Sequence, residues 1–198
     1  METAVLRTPT VEAYFRELAA CLGTTVATTF LGEPLDLGTA FKWAIRTARE
    51  AQAADRKLIF IGNGGSAAVA SHMAIDFTKA GGLRAVCLND GAALTCLSND
   101  LGYEQVFAHQ IEVHGLAGDL LVAISSSGRS PNILNAVAVA RAKGLAVLTL
   151  SGFGGDNPLR CLGDVNLYVG NSAYGFVEIS HLALCHAILD LAGDWQPS

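Results

Sequence analysis

Two pairs of side chains have types and spacings suited to proton or metal chemistry. His72 and Asp76 stand four residues apart in a segment of helical period, so both fall on one helix face. Glu178 and His186 lie eight apart in a second such segment. At about 100° per residue they are separated by about 80° around the axis and by two turns along it. An i,i+4 His/Asp pair serves equally as a surface ion pair. Together, two imidazoles and two carboxylates form a donor set that suits a hard or borderline divalent ion, or a base and acid for proton transfer. His181 falls on the other side of Glu178 and is not expected to join His186 at one small site.

Two loops of small residues offer complementary chemistry. Gly62-Asn63-Gly64-Gly65-Ser66 follows an apolar run ending at Ile61 and opens a helix, whose first amides are unpaired and favour an anion. Gly62, Gly64 and Ala67, with Asp90 after the next strand, also fit the dinucleotide pattern GxGxxA. The second loop, Ser125-Ser126-Ser127-Gly128-Arg129-Ser130, argues against that reading, because a dinucleotide site has no use for it. Its four hydroxyls and glycine sit just before Pro131, which is well placed to open the next helix, and they provide donors for a phosphate monoester. A serine-rich turn without a ligand, with Arg129 pointing to solvent, is the plainer alternative. No Gly-Lys-Ser/Thr follows either loop, so a nucleotide-triphosphate loop is absent and no nucleotide cofactor is expected.

The elements that position these groups read as an α/β chain. Thr10 to Phe30 has helical spacing through Val11, Tyr14, Phe15, Leu18 and Leu22, and a second helix starts at Asp36 as N-cap. Short apolar strands follow at Leu58–Ile61, Ala85–Leu88, Leu120–Ile124, Ala146–Leu150 and Val165–Val169. Helical segments separate them at Ala67–Lys79, Gln105–His114 and Ile133–Lys143, and a last helix runs from Tyr174 to Leu191. Continuous apolar strands alternating with helices imply a five-stranded parallel sheet covered on both faces. The expectation is one domain over residues 1–198, with N-terminal helices over about 1–55 and an α/β core over 56–192. Ligands of such sheets bind beyond the carboxyl ends of the strands, where both loops fall.

Bulk properties narrow the function. The 198 residues carry a net charge of -5 with no basic stripe, which gives no support to nucleic-acid binding. No apolar run reaches the roughly 18 residues of a membrane span, and the N-terminus does not read as a signal peptide. The five cysteines are scattered and form no CxxC, and most sit among apolar neighbours, as expected of buried thiols in a reducing cytoplasm. Charged residues make up only 16% against 51% hydrophobic, so part of the surface is expected to lie against other copies of the chain.

The glycine loop continued as GNGGSA, the SxSGxS pattern of the serine loop and the intervening Ser98-Asn99-Asp100 resemble the phosphoheptose isomerase branch of the SIS (sugar isomerase) family. The similarity covers about residues 10 to 192. It implies a three-layer, flavodoxin-like SIS fold and an aldose–ketose isomerase acting on a ketose phosphate such as sedoheptulose 7-phosphate. It also implies a homotetramer with sites between subunits. By that resemblance the serine loop (Ser125, Ser126, Ser127, Ser130) holds phosphate, while Asn63, Gly64, Gly65, Ser66, Asn99 and Asp100 meet the sugar hydroxyls. The family's zinc ligands and its acid and base fall on His72, Asp76, Glu178 and His186. Here Asp76 stands where the family has Glu and Glu178 where it has Gln, so either carboxylate is a candidate base, with His186 as acid. A family aspartate before that Gln is also replaced, around Gly175. A non-catalytic SIS regulator of the replication-initiator-binding type and a sugar-phosphate sensor stay as alternatives.

Overall fold

The computed structural model describes residues 10–193; of the expected span 1–198, residues 1–9 and 194–198 lie outside the described residues. Helix α1 (Val11–Gly23) is capped by the Thr10 hydroxyl, which accepts from Ala13 N. The chain then leaves helical geometry at Thr24-Thr25, where β-branched residues favour extension. A hairpin of β1 (Val26–Thr29) and β2 (Pro34–Leu35) leads into α2 (Leu37–Ala53), capped by Asp36. The repeating unit follows: β3 (Leu58–Gly62), α3 (Gly65–Lys79), β4 (Ala85–Cys87), α4 (Gly91–Leu101) and α5 (Val106–His114). It continues with β5 (Leu120–Ser125), α6 (Pro131–Ala142), β6 (Ala146–Gly152), β7 (Val165–Val169) and α7 (Tyr174–Ala192).

The sheet has seven strands in the order β2-β1-β7-β6-β5-β3-β4, which corrects the expected count of five. The five anticipated strands form the parallel part, and the β1–β2 hairpin adds two antiparallel strands at the β7 edge. The first helix, expected to run to Phe30, ends at Gly23, and Val26–Thr29 instead pair with β7, Val26 opposite Tyr168 and Thr29 opposite Val165. Asn166 of β7 secures the join by donating its amide N–H groups to the Thr28 and Thr29 carbonyls.

Alternation along the buried strands divides the core in two. Leu58, Phe60, Leu120, Val122 and Ile124 face a cluster closed by α2, α3 and α7; Ile59, Ile61, Leu121 and Ala123 face one closed by α5 and α6. Each fully buried Leu, Ile or Phe contributes about 1.5–3 kcal/mol, so the three layers are held chiefly by these two faces. Below the sheet's opposite end, buried Asp119 accepts from the backbone N–H groups of Lys57 and Leu116 and pairs with the Lys57 ammonium at 2.7 Å, fixing β3 beside β5.

Helix α7 has a mean hydropathy of 1.4 over 18 residues and is by length and composition long enough to cross a membrane. In this fold it is a core helix: Val177, Leu184, Cys185, Ile188 and Leu189 are buried against the sheet, α2 and α3. The chain runs outward from β3 to β4 and then returns to the other side of β3 as β5, so the sheet's switch point lies between β3 and β5. Both small-residue loops emerge there, which is where a crevice forms in open α/β sheets.

Candidate active site

A cavity of about 230 Å³ on which hydroxyl, amide and carboxylate side chains converge sits over the switch point. Asn63, Gly64, Gly65 and Ser66 form one wall, Ser125, Ser126, Ser127 and Ser130 the other, with Tyr174 and Glu178 closing it from α7. A larger hollow of about 360 Å³ lies at the C-terminal ends of α3 and α7, but its wall is mainly apolar and no loop chemistry converges on it.

The serine loop is shaped by its own backbone. The Ser125 hydroxyl accepts from Gly128 N and lies 3.4 Å from the Ser130 hydroxyl, while that of Ser127 accepts from Arg129 N. Gly128 turns at φ +62°, and a Cβ there would strike the side-chain amide of Asn157, so only glycine fits. Ser130 is the N-cap of α6 yet makes no capping bond with its hydroxyl, which leaves that group for a ligand. The Ser126 hydroxyl is buried and unpartnered. An anion placed here would meet hydroxyl donors and the positive end of α6. Arg129 does not line the cavity; it binds the exposed Asp156 carboxylate at 2.8 Å and holds that carboxyl below its usual range.

Glu178 faces this loop from across the cavity. Its half-buried carboxylate rests on the backbone of Gly65, in the first turn of α3, where any side chain would collide with it. The expected metal set therefore comes together only in part. His72 Nε2 lies 3.3 Å from Asp76 Oδ2 and 3.3 Å from His186 Nε2, and His186 Nε2 lies 3.8 Å from Asp76 Oδ2. Glu178 stays with the cavity, outside this group of three.

Bonds of about 2.0–2.1 Å at tetrahedral angles put zinc ligands roughly 3.3–3.4 Å apart. Two imidazole nitrogens and one carboxylate oxygen at the observed separations fit such an ion with a fourth position open. His181 turns the other way, as its angular position implied. It is fully buried, with Nε2 3.1 Å from the Ser151 carbonyl, and burial pushes its imidazole down to about 4.

Asn99 and Asp100 do not line the cavity. They end α4, exposed, with the Asn99 amide donating to the Asp100 carboxylate at 2.7 Å. Conversely, Tyr174 does line it and was not anticipated, although it lies one turn before Glu178 on the same helix face.

The SIS domain family profile matches residues 36–152 of the chain. The phosphoheptose isomerase of Citrifermentans bemidjiense is 34% identical over 162 residues, covering 79% of this chain and 84% of that one. The chain belongs to the SIS domain family. Within it, this SIS protein falls in the phosphoheptose isomerase branch. The phosphoheptose isomerase of Campylobacter concisus is 42% identical over 67% of this chain and 73% of its own. The solved structure of the phosphoheptose isomerase from Neisseria gonorrhoeae superposes with a TM-score of 0.79 at 33% identity, over 92% of this SIS chain and 97% of the other.

Proposed function

We infer that the protein is a sugar-phosphate isomerase that interconverts sedoheptulose 7-phosphate and a heptose 7-phosphate through an enediol. The observation that carries this reading is the placement of one carboxylate, Glu178, across a 230 Å³ cavity from a loop of four serines. A phosphate monoester at Ser125–Ser130 directs its sugar toward the glycine loop and Glu178. In the ketose, a base removes the C1 proton and the electron pair passes to the C2 carbonyl oxygen, which is protonated to give the enediol. C2 then gains a proton while the C1 hydroxyl loses its own and becomes the aldehyde carbonyl of the aldose. Glu178 lines the cavity and Asp76 is engaged by two imidazoles, so Glu178 is the better-placed base. A carboxylate on the same edge as both carbons takes the proton from one and returns it to the other.

His72, Asp76 and His186 are the residues that would hold a zinc ion. Zinc there would supply Lewis-acid polarisation of a substrate oxygen. Val11, Phe15 and Tyr174 are each more than 60% exposed, which supports burial of this end of the molecule in a homotetramer with sites between subunits. The five free thiols are consistent with a cytoplasmic protein. The deciding experiment is a steady-state assay of purified protein with sedoheptulose 7-phosphate and related ketose phosphates, with light scattering alongside. Conversion at a mass near four chains is expected; binding without conversion would replace the isomerase reading with that of a sensor or regulator.

A further inference from the structure

The two walls of the cavity are joined by a hydrogen-bonded clamp built from residues 69 positions apart. Asn63 Nδ2 donates to Asn132 Oδ1 at 2.9 Å, and Asn132 Nδ2 donates back to Asn63 Oδ1 at 2.9 Å. The orientation of the pair is set from outside, because Ile133 N donates to Asn132 Oδ1 at 3.0 Å. Asn132 is 2% exposed, so its amide has no water to turn to. Tyr103, in a 3-10 turn (Tyr103–Gln105) ahead of α5, donates its hydroxyl to the second lone pair of Asn63 Oδ1 at 2.9 Å. That turn is itself held on α6, since Asn135 Nδ2 donates to the Glu104 carbonyl.

Both acceptor sites of the Asn63 amide and one of its two N–H bonds are thus consumed. Asn63, although it lines the cavity, has a single donor to offer a ligand and no acceptor. The glycine loop is tied at this point to the second residue of α6, which opens directly from the serine loop.

We propose that Asn132 and Tyr103 are positioning residues that, through Asn63, set the distance between the phosphate-binding and sugar-binding walls. This rests on the sugar-phosphate reading of the cavity. The physical reason is that phosphate is held by groups on one wall only, whereas a sugar phosphate must be matched by both. Loosening the clamp leaves the first interaction in place and misplaces the second, and small misplacements of reacting atoms are costly in rate.

Calorimetric titration of the full chain with inorganic phosphate and with sedoheptulose 7-phosphate separates the two walls, with turnover measured in parallel. For Asn132→Ala the phosphate Kd should stay within about threefold of the parent while the sugar-phosphate Kd rises about tenfold and kcat/KM falls at least as far. Tyr103 is 51% exposed, so Tyr103→Phe should melt within about 2 °C of the parent and move the same ratio by roughly threefold. Should Asn132→Ala fail to fold, Tyr103→Phe decides alone. Variants that keep the parent's ratio of the two constants, or lose both affinities equally, overturn the clamp. A parent that binds sugar phosphate and never converts it overturns the isomerase reading, and the ratio still judges the clamp. A parent that binds the two ligands alike overturns the clamp outright.

Discussion

The carboxylate of Glu178 lies against the backbone of Gly65 and not beside His186, although Glu178 and His186 share helix α7. A negative charge is thereby placed at the N-terminal turn of α3, where the helix dipole favours it, and inside the cavity that the serine loop completes. Four side chains that seemed set to form one cluster are divided: a carboxylate in the cavity, and a trio whose spacing fits a metal ion beside it.

This division makes Gly65 a sensitive position for activity and an insensitive one for stability. In Gly65→Ala the added methyl meets the far end of a flexible side chain, so Glu178 swings away at little cost while alanine improves the helix. The melting temperature should hold or rise slightly as kcat/KM for sedoheptulose 7-phosphate falls at least tenfold. Glu178→Gln, which keeps the shape and removes the proposed base, should lower kcat by about 10²–10⁴-fold with KM nearly unchanged. Asp76→Asn acting as severely on kcat at saturating zinc would transfer the role of base to Asp76.

The trio of His72, Asp76 and His186 predicts metal-linked stability. Zinc at a hundredfold its dissociation constant should stabilise the native chain by about 2.7 kcal/mol, and a chelator should reverse the effect. His72→Ala and His186→Ala should each abolish the zinc-induced rise in melting temperature, and Glu178→Gln should leave it in place. A rise that disappears in Glu178→Gln as well would show that Glu178 completes the ligand set after all.

For the serine loop, replacing Ser127 and Ser130 together with alanine removes two hydroxyls from the wall that faces the ligand. Hydrogen bonds to a charged group are worth about 1.5–3 kcal/mol each, so affinity for both phosphate and sugar phosphate should fall at least tenfold. The Ser130 hydroxyl makes no capping bond and that of Ser127 accepts only from the exposed Arg129 N, so melting should change little. Unaltered phosphate binding would remove the anion from this loop.

Much of this site was legible because its chemistry is local. Gly62 to Ser66 and Ser125 to Ser130 place turn residues, hydroxyls and helix starts within five or six positions, and their strands are unbroken apolar runs. Val165–Val169 is observed with the expected bounds; β3, β5 and β6 run one or two residues further, to a glycine or serine, and β4 stops one residue short, at Cys87. What escaped reading depends on distant partners. Val26–Thr29 becomes a strand because β7 offers an edge 139 residues or so further on, and its preceding helical period hid the change. Helix α4 has no buried residue, so its apolar pattern marked no face. The Asn63–Asn132 pair joins residues whose kinship is visible only once β3 and β5 lie side by side. A helical wheel placed Glu178 near His186 in angle, but two turns of rise separate them, and the carboxylate turned toward the nearer helix start.

His181 supplies a pH-dependent stability that needs no ligand to measure. Its imidazole is fully buried, one nitrogen bonds to the Ser151 carbonyl and the other, Nδ1, has no partner, so the native state holds the ring neutral and its titration falls to about 4. In the unfolded chain the same ring titrates near the ordinary value of about 6.5. Between those values the unfolded state carries a proton that the native state excludes, so stability rises with pH across that window. The contribution is fully present above about pH 6.5, is lost as the pH falls toward 4, and amounts to about 3 kcal/mol in all. His181→Gln keeps a donor for the Ser151 carbonyl and cannot titrate. It should be less stable than the parent at pH 7.5 because the cavity is imperfectly refilled, but its urea midpoint should fall less steeply on acidification. The two curves should converge as pH 4 is approached, the carboxylates common to both chains cancelling in the difference. Parallel curves from pH 7.5 to 4.5 would mean that His181 takes up its proton without leaving its buried place, and that the polar groups around Ser151 accommodate the charge.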